Sequence, residues 1–432
     1  MSAREEGVTR WEALQTRLFE QNRFTIKLGL ERMRAALGAE GHPERRAPAV
    51  VVAGTNGKGT VASSLSAILG AHGLRVGLYT SPHLVGFEER FRVGGRPLSR
   101  EVLLPVMEYV FQAYGDVNRV GEDALTFFEL TTLMAALVFA TEEVDVGIYE
   151  VGLGGRLDAV NAIEPALSVI TTIGRDHEAY LGHAIAAIAG EKAGVMREGV
   201  PVVIGPQEHA EAMDVLWERA GRSPRYRIDE AEGVGDVGPG EHWSALARRH
   251  HRSAWKAAQI FLGERFDAGL ARQGLERWRW PGRMEPRQVR VPEGVEGRVW
   301  LDAAHNPAGI AALAREVRRG VCGDIGAVVW GALGDKAQEG LGELLSELGV
   351  GVWAVEIASP RALTAEGMQA LVPARLWRGS GRAGESLREA LLSCEPDQSV
   401  LCFGSIYLLG EIYGALGLDV EALVTEAQES AD

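Results

Sequence analysis

The run Val50-Val51-Val52-Ala53-Gly54-Thr55-Asn56-Gly57-Lys58-Gly59-Thr60 carries the clearest chemistry in the chain. Four small apolar residues read as the end of a buried strand. A glycine-rich turn follows, and Val61–Leu69 reads as a helix stopped by Gly70 and Gly73. A strand, a glycine loop and a helix N-terminus make a phosphate cradle: backbone N–H groups and the helix dipole face the anion, and a lysine neutralises it. Gly54, Thr55, Asn56, Gly57 and Gly59 would form the cradle. Lys58 would reach the terminal phosphates, and Thr60 would place its hydroxyl on Mg²⁺. The spacing is not that of the usual P-loop, which has four residues between its glycines and Ser or Thr directly after Lys. Here two residues separate Gly54 from Gly57, and Gly59 separates Lys58 from Thr60. The competing reading is a tight strand–helix turn with an incidental lysine.

Three further strand ends carry reactive side chains. Glu150 closes the run Val146–Glu150 and is followed by Val151-Gly152-Leu153-Gly154-Gly155-Arg156-Leu157-Asp158-Ala159. A carboxylate at the carboxyl end of a parallel strand faces the ligand crevice. Mg²⁺ takes oxygen ligands beside substrate phosphates, so Glu150 is a candidate ligand. Asp176-His177 follows a run ending at Ile173, and His177 could ligate a metal or act as a general acid or base. Asp302-Ala303-Ala304-His305-Asn306-Pro307 reads as another strand-to-helix turn, with Asp302 placed to accept from ribose hydroxyls. Arg283, in Pro281-Gly282-Arg283, is placed to approach phosphate from a hinge. Glu191-Lys192 reads by itself as an exposed pair, although a buried lysine can lose its proton and be modified.

The elements that must hold these groups alternate along the chain. Leu28–Leu37 predicts an amphipathic helix. Val50–Ala53, Arg75–Thr80, Val146–Glu150, Leu167–Ile173 and Pro201–Ile204 predict strands, and 61–72, 98–114, 125–142 and 184–196 predict helices. This order implies a mostly parallel sheet covered by helices on both faces. Residues 221–242, with Gly233, Gly235, Gly238 and Gly240, read as an irregular excursion. After Arg283 the composition turns to Pro, Gly, Glu and Arg through Gly297, which marks a domain boundary. The expectation is a phosphate-loop α/β domain over residues 1–285 and a smaller Rossmann-like α/β domain over 286–432. In the second, 298–302, 327–331, 352–357 and 400–403 predict strands, and 307–319, 338–348 and 406–416 predict helices.

The 432 residues suit two domains. Lys and Arg number 45 against 59 Asp and Glu, a formal charge of −14. That argues against non-specific binding to nucleic acid or anionic membrane, so an anionic substrate needs a local basic site. Cys322, Cys394 and Cys402 form no metal-ligand pattern and read as thiols of a reducing cytoplasm. The N-terminus lacks an apolar signal core, and the apolar run near Leu125–Ala140 is too polar to span a bilayer.

Taken together, eight strings in order resemble the folylpolyglutamate synthase / dihydrofolate synthase family of the Mur ligase superfamily. They are GTNGKGT at 54–60, TSPHL at 80–84, LTFFE at 125–129, EVGLGGRLDA at 150–159, DHEAYLG at 176–182, EKAG at 191–194, PGRME at 281–285 and DAAHNP at 302–307. The resemblance implies an ATP-dependent ligase. ATP would phosphorylate a carboxylate, and the amino group of L-glutamate would displace phosphate from the acyl phosphate. Dihydropteroate and reduced folates would be the acceptors, and the chain would act as a monomer. The resemblance also implies roles for residues. Lys58, His177 and Lys192 would be catalytic. Arg283, Asp302 and His305 would join the loop in binding ATP. Thr60, Ser81, Glu150, His177 and Lys192 would hold two Mg²⁺ ions, with Lys192 carbamylated into an oxygen ligand. Thr126, Phe127, Phe128 and Glu129, with Leu157, Asp158 and Ala159, would bind the pterin, the aromatic pair by stacking.

One stretch departs from the family pattern. A His-Gln…Asn-Ala-Ala segment whose Asn contacts ATP is replaced by His250-His251-Arg252-Ser253-Ala254-Trp255-Lys256-Ala257-Ala258, which puts Trp255 or Lys256 at the asparagine position. Two other readings compete. A cell-wall amino-acid ligase of the same superfamily would need an extra domain ahead of the phosphate loop, where this sequence has about fifty residues. A nucleotide-binding homologue without ligase activity would account for the altered 250–258 segment.

Overall fold

The computed structural model describes residues 3–21, 29–115, 124–228, 243–291, 294–334, 336 and 338–419. Two sheets organise them. The first holds β1 (Ala49–Ala53), β2 (Val76–Tyr79), β3 (Phe91–Val93), β4 (Arg96–Pro97), β5 (Val146–Glu150), β6 (Pro165–Ile170), β7 (Val202–Ile204) and β8 (Arg225–Arg227). Their order is β4-β3-β2-β5-β1-β6-β7-β8, and β3 alone runs opposite to the rest, pairing antiparallel with β2 and β4.

β1 lies between β5 and β6 and is buried throughout. Its alternating side chains feed two cores: Ala49, Val51 and Ala53 face one, Val50 and Val52 the other. A strand covered on both faces has no polar side, which is why its sequence is a continuous apolar run. On the Val50 face lie three helices, Lys58–Ala71, Ala245–Leu262 and Ala268–Glu276. Helices Phe127–Thr141 and Ile185–Ala193 belong to the other face. The adjacent strands β5, β1 and β6 lead at their carboxyl ends into Glu150, the glycine loop and the Asp176-His177 segment. Neighbouring carboxyl ends of parallel strands are where α/β folds bind ligands.

The second sheet holds β9 (Glu285–Arg290), β10 (Glu296–Asp302), β11 (Ile325–Trp330), β12 (Gly351–Val355), β13 (Trp377–Gly381) and β14 (Ser399–Phe403). Their order is β13-β12-β11-β14-β10-β9, and only β9 is antiparallel. Asp302 and Trp330 both register against Phe403. The loops after β10, β11 and β14 therefore leave side by side, bringing His305, Lys336 and Ser405 to one edge.

The two-domain α/β architecture matches the sequence reading, and its element bounds differ in places. The first helix of the phosphate loop begins at Lys58, not Val61. The antiparallel pair β3–β4 precedes helix Arg100–Tyr114. β8 lies inside the stretch expected to be irregular, while 229–242 falls outside the described residues. β9 and β13 were also unanticipated. Both are edge strands whose side chains are largely polar or exposed, so neither shows an apolar run.

The domains meet through polar contacts at two places on one helix, Pro307–Arg318. Asn306 caps that helix by accepting from the Gly309 N–H at 2.8 Å. Near the helix's other end, the buried Glu316 carboxylate accepts from the backbone N–H groups of Ala245 (3.1 Å) and Leu246 (3.2 Å). It thereby caps a helix of the other domain, whose orphan N–H groups need acceptors. Glu316→Ala leaves those groups unsatisfied in a buried place and should cost about 1–3 kcal/mol. The check is denaturant unfolding of the full chain, and an unchanged midpoint would contradict the capping role.

Candidate active site

Three glycines of the phosphate loop have specific causes. Gly54 has φ 145°, and a Cβ there would sit 1.9 Å from Thr171 Oγ1. The Thr171 hydroxyl needs that space, since it donates to the Asn56 carbonyl at 2.8 Å. Gly57 has φ 86° and caps the helix in the left-handed region, with no side chain bonded to the helix's first N–H groups. A Cβ on Gly57 would lie 2.1 Å from the His250 ring, and one on Gly59 would lie 3.3 Å from Trp280 and 3.6 Å from Glu150. The helix N-terminus therefore presents bare N–H groups to an anion. Lys58 follows directly and donates to the Thr55 carbonyl at 3.0 Å. Its charge acts on Glu150, Asp158, His177 and Lys192, which places these four groups about one centre. Thr60 is buried in the helix's first turn.

Glu150 is buried, and burial raises its pKa above the ordinary carboxylate value. One oxygen accepts from the Ser81 N–H at 3.0 Å, and the other has no hydrogen-bond partner among the described residues. His177 sits in the left-handed region at φ 53°, and burial pushes its imidazole down to about 4. It is therefore neutral at physiological pH, the form that ligates metals. Its Nε2 lies 3.4 Å from Lys336 Nζ. Among the described residues no three His, Cys, Asp or Glu side chains gather closely enough to hold a metal unaided. A Mg²⁺ ion bound here would complete its shell with hydroxyls, phosphate oxygens and water, as Mg²⁺ does beside nucleotides. The free oxygen of Glu150 and the neutral His177 fit such an ion.

Lys192 corrects the surface-pair reading of Glu191-Lys192. Glu191 does point outward, to Arg156 at 2.8 Å. Lys192, one position on, is buried and donates to the Gly54 carbonyl at 2.8 Å. Burial, and then the charge of Lys58, pushes its ammonium down to about 7. A large fraction is thus the neutral amine at physiological pH.

Across the cleft, Asp176 Oδ1 accepts from Lys336 Nζ at 2.6 Å. His305 Nε2 lies 3.6 Å from Asp176 Oδ2. Asn306 exchanges amide hydrogen bonds with Asn56 of the phosphate loop, at 3.0 and 3.1 Å, and also donates to Asp176 at 3.2 Å. Burial works to raise the Asp176 pKa. The His305 hydrogen bond and the charges of His177 and Lys336 outweigh it and hold the carboxyl well below the usual range. Lys336 and Asp176 were missed as site residues. The available signal was the glycine-bearing stretch Gly331–Lys336 directly after a strand, the same pattern that singled out Glu150.

Between the domains lies a cavity of about 350 Å³. Phe128, Leu157 and Asp158 line it from one side, and His305, Lys336, Arg361 and Ser405 from the other. In the Thr126–Glu129 segment, structural duties are prominent. Thr126 caps helix Phe127–Thr141, and Glu129 accepts from the Thr126 N–H at 2.8 Å and pairs with Arg32 at 3.0 Å. Phe127 packs against Phe19 at 5.6 Å, and Phe128 fills the space beside Gly152. Asp158 accepts from the N–H groups of Gly152, Leu153 and Val160, and burial raises its pKa to about 6. It shapes the loop, and Ala159 follows it on the cavity wall. Arg283 lines the same cavity. Asp302 braces the hinge by accepting from Met284 and Ala304 N–H groups, both at 2.9 Å.

The segment 250–258 lies on helix Ala245–Leu262. Trp255 is core, edge-on to Phe266 at 5.3 Å, and Lys256 sits over the Tyr226 ring. Both side chains are thus engaged within their own domain, at the position where the family's asparagine contact was in doubt. The side chain against the loop is His250, which burial pushes down to about 3 and so keeps neutral.

The Mur ligase middle domain matches residues 52–204, and the Mur ligase, glutamate ligase domain matches 282–406. A dihydrofolate synthase/folylpolyglutamate synthase of Bacillus subtilis is 33% identical over 370 residues, which cover 80% of this chain and 84% of the relative. The folylpolyglutamate synthase of Mycobacterium tuberculosis, complexed with ADP and AMPPCP, superposes with a TM-score of 0.82 at 28% identity, covering 96% of this chain and 99% of that one. A bifunctional folylpolyglutamate synthase/dihydrofolate synthase with Mn, AMPPNP and L-glutamate bound superposes at 0.77 and 30% identity, covering 94% and 98%. With its phosphate loop, interdomain cleft and both matched domains, the chain belongs to the dihydrofolate synthase/folylpolyglutamate synthase family of Mur ligases.

Proposed function

We propose that this ATP-dependent amide ligase joins L-glutamate to dihydropteroate and to the γ-carboxylate of reduced folates through an acyl phosphate. The observation that carries the reading is the gathering of Lys58, Glu150 and His177 about one centre, with His177 also lining an interdomain cavity walled by Phe128. A free carboxylate is a poor electrophile, and phosphorylation gives it a leaving group. A carboxylate oxygen attacks the γ-phosphorus of ATP and ADP departs. The glutamate nitrogen then attacks the acyl carbon, the carbon–oxygen bond to phosphate breaks, and the nitrogen's proton passes to a base.

The phosphate-loop N–H groups and Lys58 would hold the phosphates, with Arg283 and His305 approaching from the hinge side. Charge developing on the transferred phosphoryl is then met by fixed donors in a water-poor site. Thr60, Ser81, Glu150 and His177 would bind one or two Mg²⁺ ions, directly or through water, and bound Mg²⁺ neutralises phosphate charge. Lys192 would join them as a carbamate: its neutral, buried amine suits attack on CO₂, which turns a cation into an oxygen ligand. Residues 1–285 would bind ATP and the pteridine acid. Residues 286–432 would bind glutamate, whose carboxylates suit Lys336, Arg361 and Ser405.

Purified protein with Mg·ATP, L-glutamate and dihydropteroate should release ADP only when all three are present, and tetrahydrofolate should replace dihydropteroate. ADP release independent of glutamate would refute the reading. Lys58→Ala should lower turnover by about 100-fold or more. Lys192→Ala should lose activity and regain part of it with added acetate, whose oxygens stand in for the carbamate. Full activity of Lys192→Ala without acetate would exclude the carbamate.

A further inference from the structure

Arg90 is a cation with no ion-pair partner in contact among the described residues, and the charges of Glu150 and Glu89 reach it only from a distance. It is only 6% exposed, yet it borders the interdomain cavity. Its Nε donates to His83 Nδ1 at 3.0 Å. Burial, and then the charge of Arg90 itself, pushes His83 down to about 3, so this partner is a neutral imidazole. The remaining surroundings are aromatic: the guanidinium carbon lies 5.2 Å from the Phe127 ring centroid and 5.8 Å from that of Phe87. No carboxylate lies within 4 Å among the described residues. The adjacent acid, Glu89, is turned away and spends its oxygens on the N–H groups of Leu84, Val85 and Gly86.

A buried guanidinium that keeps hydrogen-bonding groups free is costly to the protein alone. Its planar fork matches a carboxylate bidentately. A smaller cavity of about 40 Å³, lined by Gly59, Glu150 and Arg92, adjoins the phosphate loop and does not include Arg90. The aromatic wall beside Arg90 suits a flat ring carrying the acid. We infer that Arg90 binds the benzoate-type carboxylate of the pteridine acid and holds it for activation. This inference rests on the folate reading above and deepens it by naming the group that selects the acid.

The test compares pteroate with pteroate carboxamide by calorimetry, using the full chain with Mg·ADP. The wild type should bind the acid more tightly than the amide by about tenfold or more, the worth of a charge-assisted hydrogen bond. Arg90→Gln should bring the two within about threefold, and Arg90→Lys should keep part of the preference. Unchanged ADP affinity in both variants shows that the phosphate loop is still folded. Equal binding of acid and amide by the wild type would overturn the inference, as would a preference that survives in Arg90→Gln. Should the wild type bind ADP but neither pteroate compound, the folate reading itself fails, and this inference with it.

Discussion

The contact on which the site depends is the largely buried ion pair between Asp176 and Lys336, 2.6 Å apart across the domain cleft, their side chains 8% and 9% exposed. Neither charge is tolerable alone in such a place, because breaking a buried pair typically costs about 3–5 kcal/mol. The pair forms only when the carboxyl edge of the second sheet faces that of the first. The Asn56–Asn306 amide exchange lies beside it and ties the phosphate loop directly to the helix after β10. Domain orientation and phosphate-loop geometry are thus set by one connected polar network.

The groups around that network are held away from their ordinary charge states. Burial raises Glu150 and Asp158 and lowers His177, His250 and Lys192. Without ligands, the interior of the cleft therefore favours neutral side chains, while Lys58 and Arg90 contribute positive charge. A nucleotide with its cation, and an acid substrate, bring the opposite charges. In a low-dielectric cleft those interactions are much stronger than in water. The same environment that penalises an isolated charge makes the site selective for anions.

Much of this was legible in the sequence where the cause is local. The strand–glycine–helix run around Lys58 and the carboxyl-end position of Glu150 are written in contiguous residues. What was illegible depends on packing between distant segments. Lys192 and its neighbour Glu191 look alike as charges, and only the helix's phase decides that one is buried. Asp176 and Lys336 are remote in sequence, so their pairing follows from the second sheet's placement. Which side chain of helix Ala245–Leu262 meets the loop was likewise hidden, because it depends on the helix's phase; His250 has that face. Glu89 and Arg90 stand side by side in the sequence, yet their side chains point to different partners.

The most direct test of the account follows oxygen. Dihydropteroate labelled with the heavy isotope in its carboxylate would be turned over with Mg·ATP and L-glutamate, and the released phosphate analysed by mass. An acyl phosphate requires one labelled oxygen to appear in each phosphate formed with product. Unlabelled phosphate would mean that the carboxylate is never phosphorylated, and the proposed use of Lys58, Glu150 and His177 would have to be abandoned.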